Sequence, residues 1–324
     1  MSVRNVPVAE TRFLLREHGA GSGVPVLLLH GVPETSSLWR AVAPGLALGR
    51  RVLAPDLPGL GGSSYSGPYD VASVVRQIAA LLEQELPGQR VDVVGHDWGG
   101  SVALGLAGHR PGLVRRLCVA NAPYRQVNLM RAAHIPFFSL PFAPELLFRL
   151  GGKRVVDMMF SLGWTSPAEL DPEVRAEYIA AYTDPARVSA MLGYYRAATW
   201  PRLAALLTRR QVNGPPRVHA EKMLVLWGAA DRVLPISTGE SVVRDLGPSC
   251  EMVTIPGAGH FVIEEAPELV LDTLREFLAD PAPLTVTPAN PATAEAKQAP
   301  AKKAPAKRAA AKRAPAPAPG RPRT

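Results

Sequence analysis

Short runs of valine, leucine and isoleucine alternate along the chain with longer stretches whose apolar residues recur at helical spacing. Residues 25–29, 51–55, 114–120, 222–227 and 251–255 are compact apolar runs bounded by glycine, proline or charge, the pattern of strands buried on both faces. Residues 11–16 predict a first strand, and the valine-rich run that begins at Val91 predicts a central one. Between them, residues 69–86 place apolar side chains at 71, 74, 75, 78, 81, 82 and 86, which predicts a helix with one face on the sheet. Residues 100–109 and 267–278 predict two more helices, the second with proline in its first turn. Strands and helices in alternation predict an α/β fold: a mainly parallel sheet covered by helices on both faces.

The texture changes between about residues 123 and 217. That stretch has helical patterns, prolines at 136, 141, 144, 167, 172, 185 and 201, and no convincing strand, so it reads as a helical lid inserted between two strands. After residue 280 the chain becomes an Ala/Pro/Lys segment with repeated A-P-A-K and A-A-K-R units, too poor in large apolar residues to build a core. The expected organisation is one domain over residues 1–280 and a disordered basic tail over 281–324.

Charge sharpens that division. The net charge of +8 resides in the tail, which has nine basic residues and one acid, while residues 1–280 carry 27 side chains of each sign. The tail is expected either to bind nucleic acid or another polyanion, or to be a solvated segment with no dedicated partner. The two cysteines, Cys118 and Cys250, are too few for a disulfide framework. No secretory pattern opens the chain and no apolar run approaches membrane-spanning length, so the expectation is a soluble, cytoplasmic protein. Neither metal-type Cys/His or carboxylate spacing nor a dinucleotide-type glycine turn is present, which predicts no metal and no cofactor.

Candidate chemistry centres on residues 91–101, V-D-V-V-G-H-D-W-G-G-S. Glycines at 95, 99 and 100 around Asp97 permit a strand to turn sharply into a helix, which would present Asp97 on a strained backbone above the sheet. A carboxylate is already anionic at neutral pH and attacks without a base. Its attack on an ester carbonyl would give an anhydride, whereas attack on a saturated carbon with a leaving group gives an alkyl ester that water can cleave. Asp97 therefore points to epoxides or alkyl halides. The alternative is an aspartate that merely caps the following helix.

The elbow G-H-D-W-G-G, the upstream H-G-V-P, the D-L-P-G-L-G-G-S loop, the late W-G-x-x-D and the final G-x-G-H-F together resemble the α/β-hydrolase fold, within it the epoxide hydrolase and haloalkane dehalogenase branch. The resemblance covers roughly residues 10–280 and implies Asp97 as nucleophile, Asp231 as acid and His260 as the base that activates water. It implies backbone N–H groups of Val32 and Trp98 as the oxyanion hole, and a cis Val32–Pro33 bond that aims the Val32 N–H. It also implies Tyr195 as proton donor to the leaving oxygen; Val188, Met191, Leu192 and Tyr195 share one helical face, with Tyr194 about 100° away. The substrate implied is a small apolar epoxide or alkyl halide, together with water.

The chain departs from the epoxide hydrolase pattern in one place. No tyrosine occurs between Gln126 and Trp164, where a second donor is expected, leaving Tyr124 and Tyr182 as substitutes. A dehalogenase would have asparagine at Val32 or a tryptophan of the lid; Val32 speaks against it, while Trp164 and Trp200 keep it open. A third reading is a non-catalytic module acting through its tail. Among the other histidines, His18, His109, His134 and His219 are expected at the surface, His30 to shape the H-G-V-P turn, and His96 to fill space behind the elbow.

Overall fold

The computed structural model of the chain describes residues 1–125, 132–166, 170–209 and 214–279. Eight strands, β1 (Ser2–Val8), β2 (Thr11–His18), β3 (Gly23–Leu29), β4 (Arg50–Pro55), β5 (Val91–His96), β6 (Val114–Ala120), β7 (Lys222–Gly228) and β8 (Cys250–Ile255), form one sheet in the order β1-β2-β4-β3-β5-β6-β7-β8. The pairings from β4 through β8 are parallel, and β1 and β2 add an antiparallel edge. β1 was not foreseen from the sequence. It is an edge strand whose inward residues are only Val6 and Val8, with Pro7 facing out, so it lacks the continuous apolar run of the central strands.

Alternation along the central strands splits the core into two layers. Leu27, Leu29, Val93, Val119 and Val225 face one layer, where α2 (Val71–Glu85) and α3 (Trp98–His109) supply Val74, Ile78, Leu82, Val102 and Leu106. Val26, Leu28, Val94, Cys118 and Leu224 face the other, filled by Ala43 and Leu46 of α1 (Ala43–Leu46) and by residues of two C-terminal helices. This is the period-two partition of a sheet buried on both faces.

Between β6 and β7 the described residues form five helices and no strand: α4 (His134–Ser139), α5 (Ala143–Gly151), α6 (Lys153–Gly163), α7 (Pro172–Thr183) and α8 (Pro185–Thr208). After β7 come α9 (Ile236–Leu246), α10 (Val262–Glu265) and α11 (Pro267–Leu278), whose Val270, Leu274 and Leu278 are buried. No helix among the described residues is long and apolar enough to cross a membrane. The basic tail of the sequence reading lies outside the described residues.

Candidate active site

β5 ends at His96 and α3 begins at Trp98, leaving Asp97 alone in the turn with φ +49° and ψ −117°. Its side chain makes no cap to the helix, contrary to the helix-cap alternative. Instead Oδ1 accepts a hydrogen bond from the Val32 backbone N–H at 3.0 Å, and Oδ2 lies 3.6 Å from His260 Nε2. Two glycines make the approach possible. A Cβ on Gly31 would fall 2.5 Å from the Asp97 Cβ, and one on Gly99 would fall 2.3 Å from the Leu29 carbonyl oxygen. The Val32–Pro33 bond is cis, as expected.

Asp231 lies in the loop after β7, and His260 lies in the loop after β8. His260 Nδ1 is 2.9 Å from Asp231 Oδ2, while Asp231 Oδ1 accepts from the backbone N–H groups of Val233 (2.7 Å) and Leu234 (2.8 Å). Asn121, with φ +44° just after β6, donates its amide to Asp231 Oδ2 at 2.6 Å and accepts from the Gly228 N–H at 3.2 Å. Asn121 was missed in the sequence, where its only signal is its place directly after a strand.

Burial opposes charge on all three groups, and their mutual attraction overcomes it. Burial alone would raise the Asp97 pKa, but hydrogen bonding and attraction to His260 hold it below the usual carboxylate range. Burial alone would lower His260, but Asp231 and Asp97 on either side place it well above an ordinary imidazole. Asp231 is likewise lowered, with burial outweighed by His260, the Leu234 N–H and Asn121.

His96 does more than fill space. Its Nδ1 is 2.8 Å from Glu34 Oε2 and its Nε2 donates to the His260 carbonyl at 2.9 Å, so a fully buried pair ties the elbow strand to the His260 loop. Burial would lower the His96 pKa, and Glu34 raises it on balance. Gly31 N–H also donates to Glu34 Oε2 at 3.3 Å, and the Tyr182 hydroxyl donates to the Glu34 carbonyl at 2.9 Å. His30 shapes its turn as expected: Nε2 accepts from the Leu57 N–H at 2.9 Å and Nδ1 donates to the Gly31 carbonyl at 2.8 Å.

A cavity of about 900 Å³ opens over Asp97, bordered also by Trp98, Tyr124, His134, Leu203 and Leu234. Tyr195 is buried edge-on to the Trp98 ring (centroids 5.1 Å apart) and 6.2 Å from the His134 ring, and is not itself one of the bordering side chains. Burial and then the Asp97 charge push its phenol pKa upward. Tyr194 turns away and donates to the Pro58 carbonyl at 2.9 Å.

Two histidines depart from the surface reading. His18 is buried at the end of β2, which lowers its pKa. His134 borders the cavity at the start of α4, and burial pushes its imidazole down to about 4, with Asp97, His260 and Asp231 close enough to act on it. His109 and His219 are exposed, as expected. Neither substitute tyrosine offers a free phenol: Tyr124 donates to the Pro216 carbonyl at 2.6 Å, and Tyr182 is engaged with Glu34.

The family model of the alpha/beta hydrolase family matches residues 26–273. The chain belongs to that family. It is similar to the soluble epoxide hydrolase of Corynebacterium sp. (strain C12), 29% identical over 274 residues that cover 80% of this chain and 92% of that protein. It is also similar to the AB hydrolase superfamily protein YfhM of Bacillus subtilis, 28% identical over 274 residues with the same two coverages, 80% and 92%. Among solved structures, one of novel epoxide hydrolases of this superfamily from metagenomes of hot environments superposes with a TM-score of 0.72 at 27% identity, covering 86% of this chain and 98% of that one. The chain is thus an epoxide hydrolase-like enzyme of the alpha/beta hydrolase family, and the segment after residue 273 lies beyond the family match.

Proposed function

We propose that this enzyme opens epoxides through a covalent ester on Asp97. The observation that carries the reading is the position of the Asp97 carboxylate: uncapped, bordering the cavity, one oxygen on the Val32 N–H and the other 3.6 Å from His260. Oδ2 attacks an epoxide carbon, the carbon–oxygen bond of the ring breaks, and the departing oxygen takes the proton of Tyr195. His134, neutral at working pH, steadies that oxygen with its N–H, filling the role for which residues 126–164 supply no tyrosine.

Ester formation removes the Asp97 charge and with it part of what raises His260, so the imidazole moves toward the neutral form when a base is required. His260 then takes a proton from water, whose oxygen adds to the ester carbonyl carbon. Val32 and Trp98 N–H groups hold the resulting oxyanion, a stabilisation of about 3 kcal/mol per donor in comparable sites. Collapse expels the alkoxide, which takes the proton from His260, and the proton of the regenerated Asp97 carboxyl restores Tyr195. Atoms balance as epoxide plus water giving a diol.

Halide displacement is supported less well. The Trp164 indole N–H donates to the Ser166 carbonyl at 3.1 Å and that of Trp200 to the Ser139 carbonyl at 2.9 Å, so both lid indoles are already engaged. The test is a panel of terminal and aryl epoxides, bromoalkanes and simple esters, with turnover expected on epoxides. His260→Gln should react once and accumulate an alkyl ester on Asp97, visible by intact mass, because attack needs no base while hydrolysis does. Active wild type with no adduct in the variant across the panel would overturn the two-step scheme, and preferential turnover of bromoalkanes would overturn the epoxide assignment.

A further inference from the structure

Two of the inserted helices, α5 and α8, turn apolar side chains outward. Phe142, which caps α5, and Leu146 and Leu150 on it, spaced i, i+4, i+8, form one stripe in which Phe142 is 84% and Leu150 77% exposed. A second stripe on α8, Trp200, Leu203 and Leu207, is exposed in the same way, Leu207 by 76%. The helices are tied at the junction of α4 and α5, where Arg196 donates to the Leu140 carbonyl (2.6 Å) and pairs with Glu145 (2.7 Å), and Trp200 donates to Ser139. These bonds place Trp200 beside the α4–α5 junction at which Phe142 stands, so the near ends of the two stripes adjoin, and exposed apolar surface of this kind marks a contact site.

Charge identifies what it contacts. Residues 123–217 carry twelve basic and seven acidic side chains, whereas the rest of the first 280 residues carry fifteen basic and twenty acidic. Arg149, Lys153, Arg154, Arg202 and Arg209 are all exposed beside the two stripes, and among the described residues none of them forms an ion pair. Apolar side chains interleaved with unpaired cations suit a surface that is anionic outside and hydrocarbon beneath. A second copy of the chain meeting this face through the same face would bring two cationic surfaces together. A nucleic acid would satisfy the cations and leave Phe142, Leu150 and Leu207 without an apolar partner.

We propose that the outer face of the lid, α5 with the C-terminal half of α8, docks on an anionic lipid surface. Leu203 and Arg202 belong both to this face and to the border of the cavity, so docking sets the cavity entrance against the bilayer, where apolar substrates concentrate. The inference is independent of the reaction on Asp97.

The experiment uses the full chain and sedimentation with vesicles of phosphatidylcholine, with and without phosphatidylglycerol. Binding is expected only with the anionic lipid, and the fluorescence of Trp200, the most exposed tryptophan, should be quenched by brominated acyl chains. Combining Phe142→Ser, Leu146→Ser and Leu150→Ser keeps every charge, including those of the tail, and should weaken vesicle binding by about tenfold or more while turnover of a water-soluble substrate is unchanged. Circular dichroism checks that the variant is folded. Undiminished binding by this variant, or no quenching of bound wild type, would overturn the proposal in favour of adsorption by charge alone. So would a wild-type dimer, measured by light scattering, that the three substitutions dissociate without any vesicle binding.

Discussion

Burial holds the His134 imidazole neutral, its pKa pushed down to about 4 from an ordinary value of 6.5. The folded pKa lies below the unfolded one, so as pH falls the unfolded chain takes up this proton first. Stability from this residue is intact above about pH 6.5 and drains away toward pH 4 at about 1.4 kcal/mol per pH unit. Between pH 7 and 5 the wild type should lose about 2 kcal/mol through His134, and His134→Gln should be spared that part of the loss, as urea unfolding at the two pH values will show. The same variant should slow ester formation on Asp97 and leave hydrolysis of the formed ester nearly untouched, a division that single-turnover mass spectrometry resolves. The residue was misread as a surface histidine because a lone histidine in a lid is usually solvated. The I-P-F-F that follows it was the available sign of inward packing, since Phe138 is buried there while Pro136 and Phe137 face out. Glu34 and His96 were unreadable as a pair for a different reason: they are 62 positions apart, and only the β3–β5 pairing brings the segment after β3 beside the end of β5.

At the level of elements, the turn between β5 and α3 is where local sequence and chemistry coincide. Gly31 faces that turn so closely that the extra methyl of Gly31→Ala would fall 2.8 Å from Asp97 Oδ1. The nearer contact, 2.5 Å to the Asp97 Cβ, is relieved only by a shift of the turn itself, and that shift takes the carboxylate off the Val32 N–H. Displacements of this size lower rates by about a hundredfold. Gly31→Ala should therefore keep its circular dichroism spectrum and lose ester formation by about that factor, measured by burst kinetics. Such an elbow was legible because its demand is covalent and local: small residues flanking one position. The central strands were legible for the same kind of reason, each being a short apolar run buried on both faces. The edge strand β1 was not, since one of its faces meets solvent and its placement depends on antiparallel pairing with β2. The lid was legible as helical but not in its packing, because which face of each helix turns inward is decided by its neighbours rather than by its own period.

Across the whole molecule, charge and packing divide the chain at the same place. Residues 1–280 are balanced, and the nine basic residues of the remainder meet a single acid. The last described helix, α11, is anchored on the domain by buried Val270, Leu274 and Leu278, and Arg116 donates to the carbonyls of Phe277 (3.2 Å) and Ala279 (2.9 Å), closing off the end of the packed unit. We therefore propose 281–324 as a separable segment, one whose composition supplies no core of its own. A chain ending at Asp280 should keep its melting temperature to within about 2 °C and its kcat/KM on the best epoxide, because a segment too poor in large apolar residues to build a core contributes little to either. Any affinity of the full chain for DNA should vanish with the segment, and before truncation it should fall steeply between low and moderate salt as condensed counterions are released. Loss of activity on truncation would place the segment inside the active fold, whereas unchanged DNA binding would move the affinity to the cationic lid and set it in competition with the lipid contact of α5 and α8.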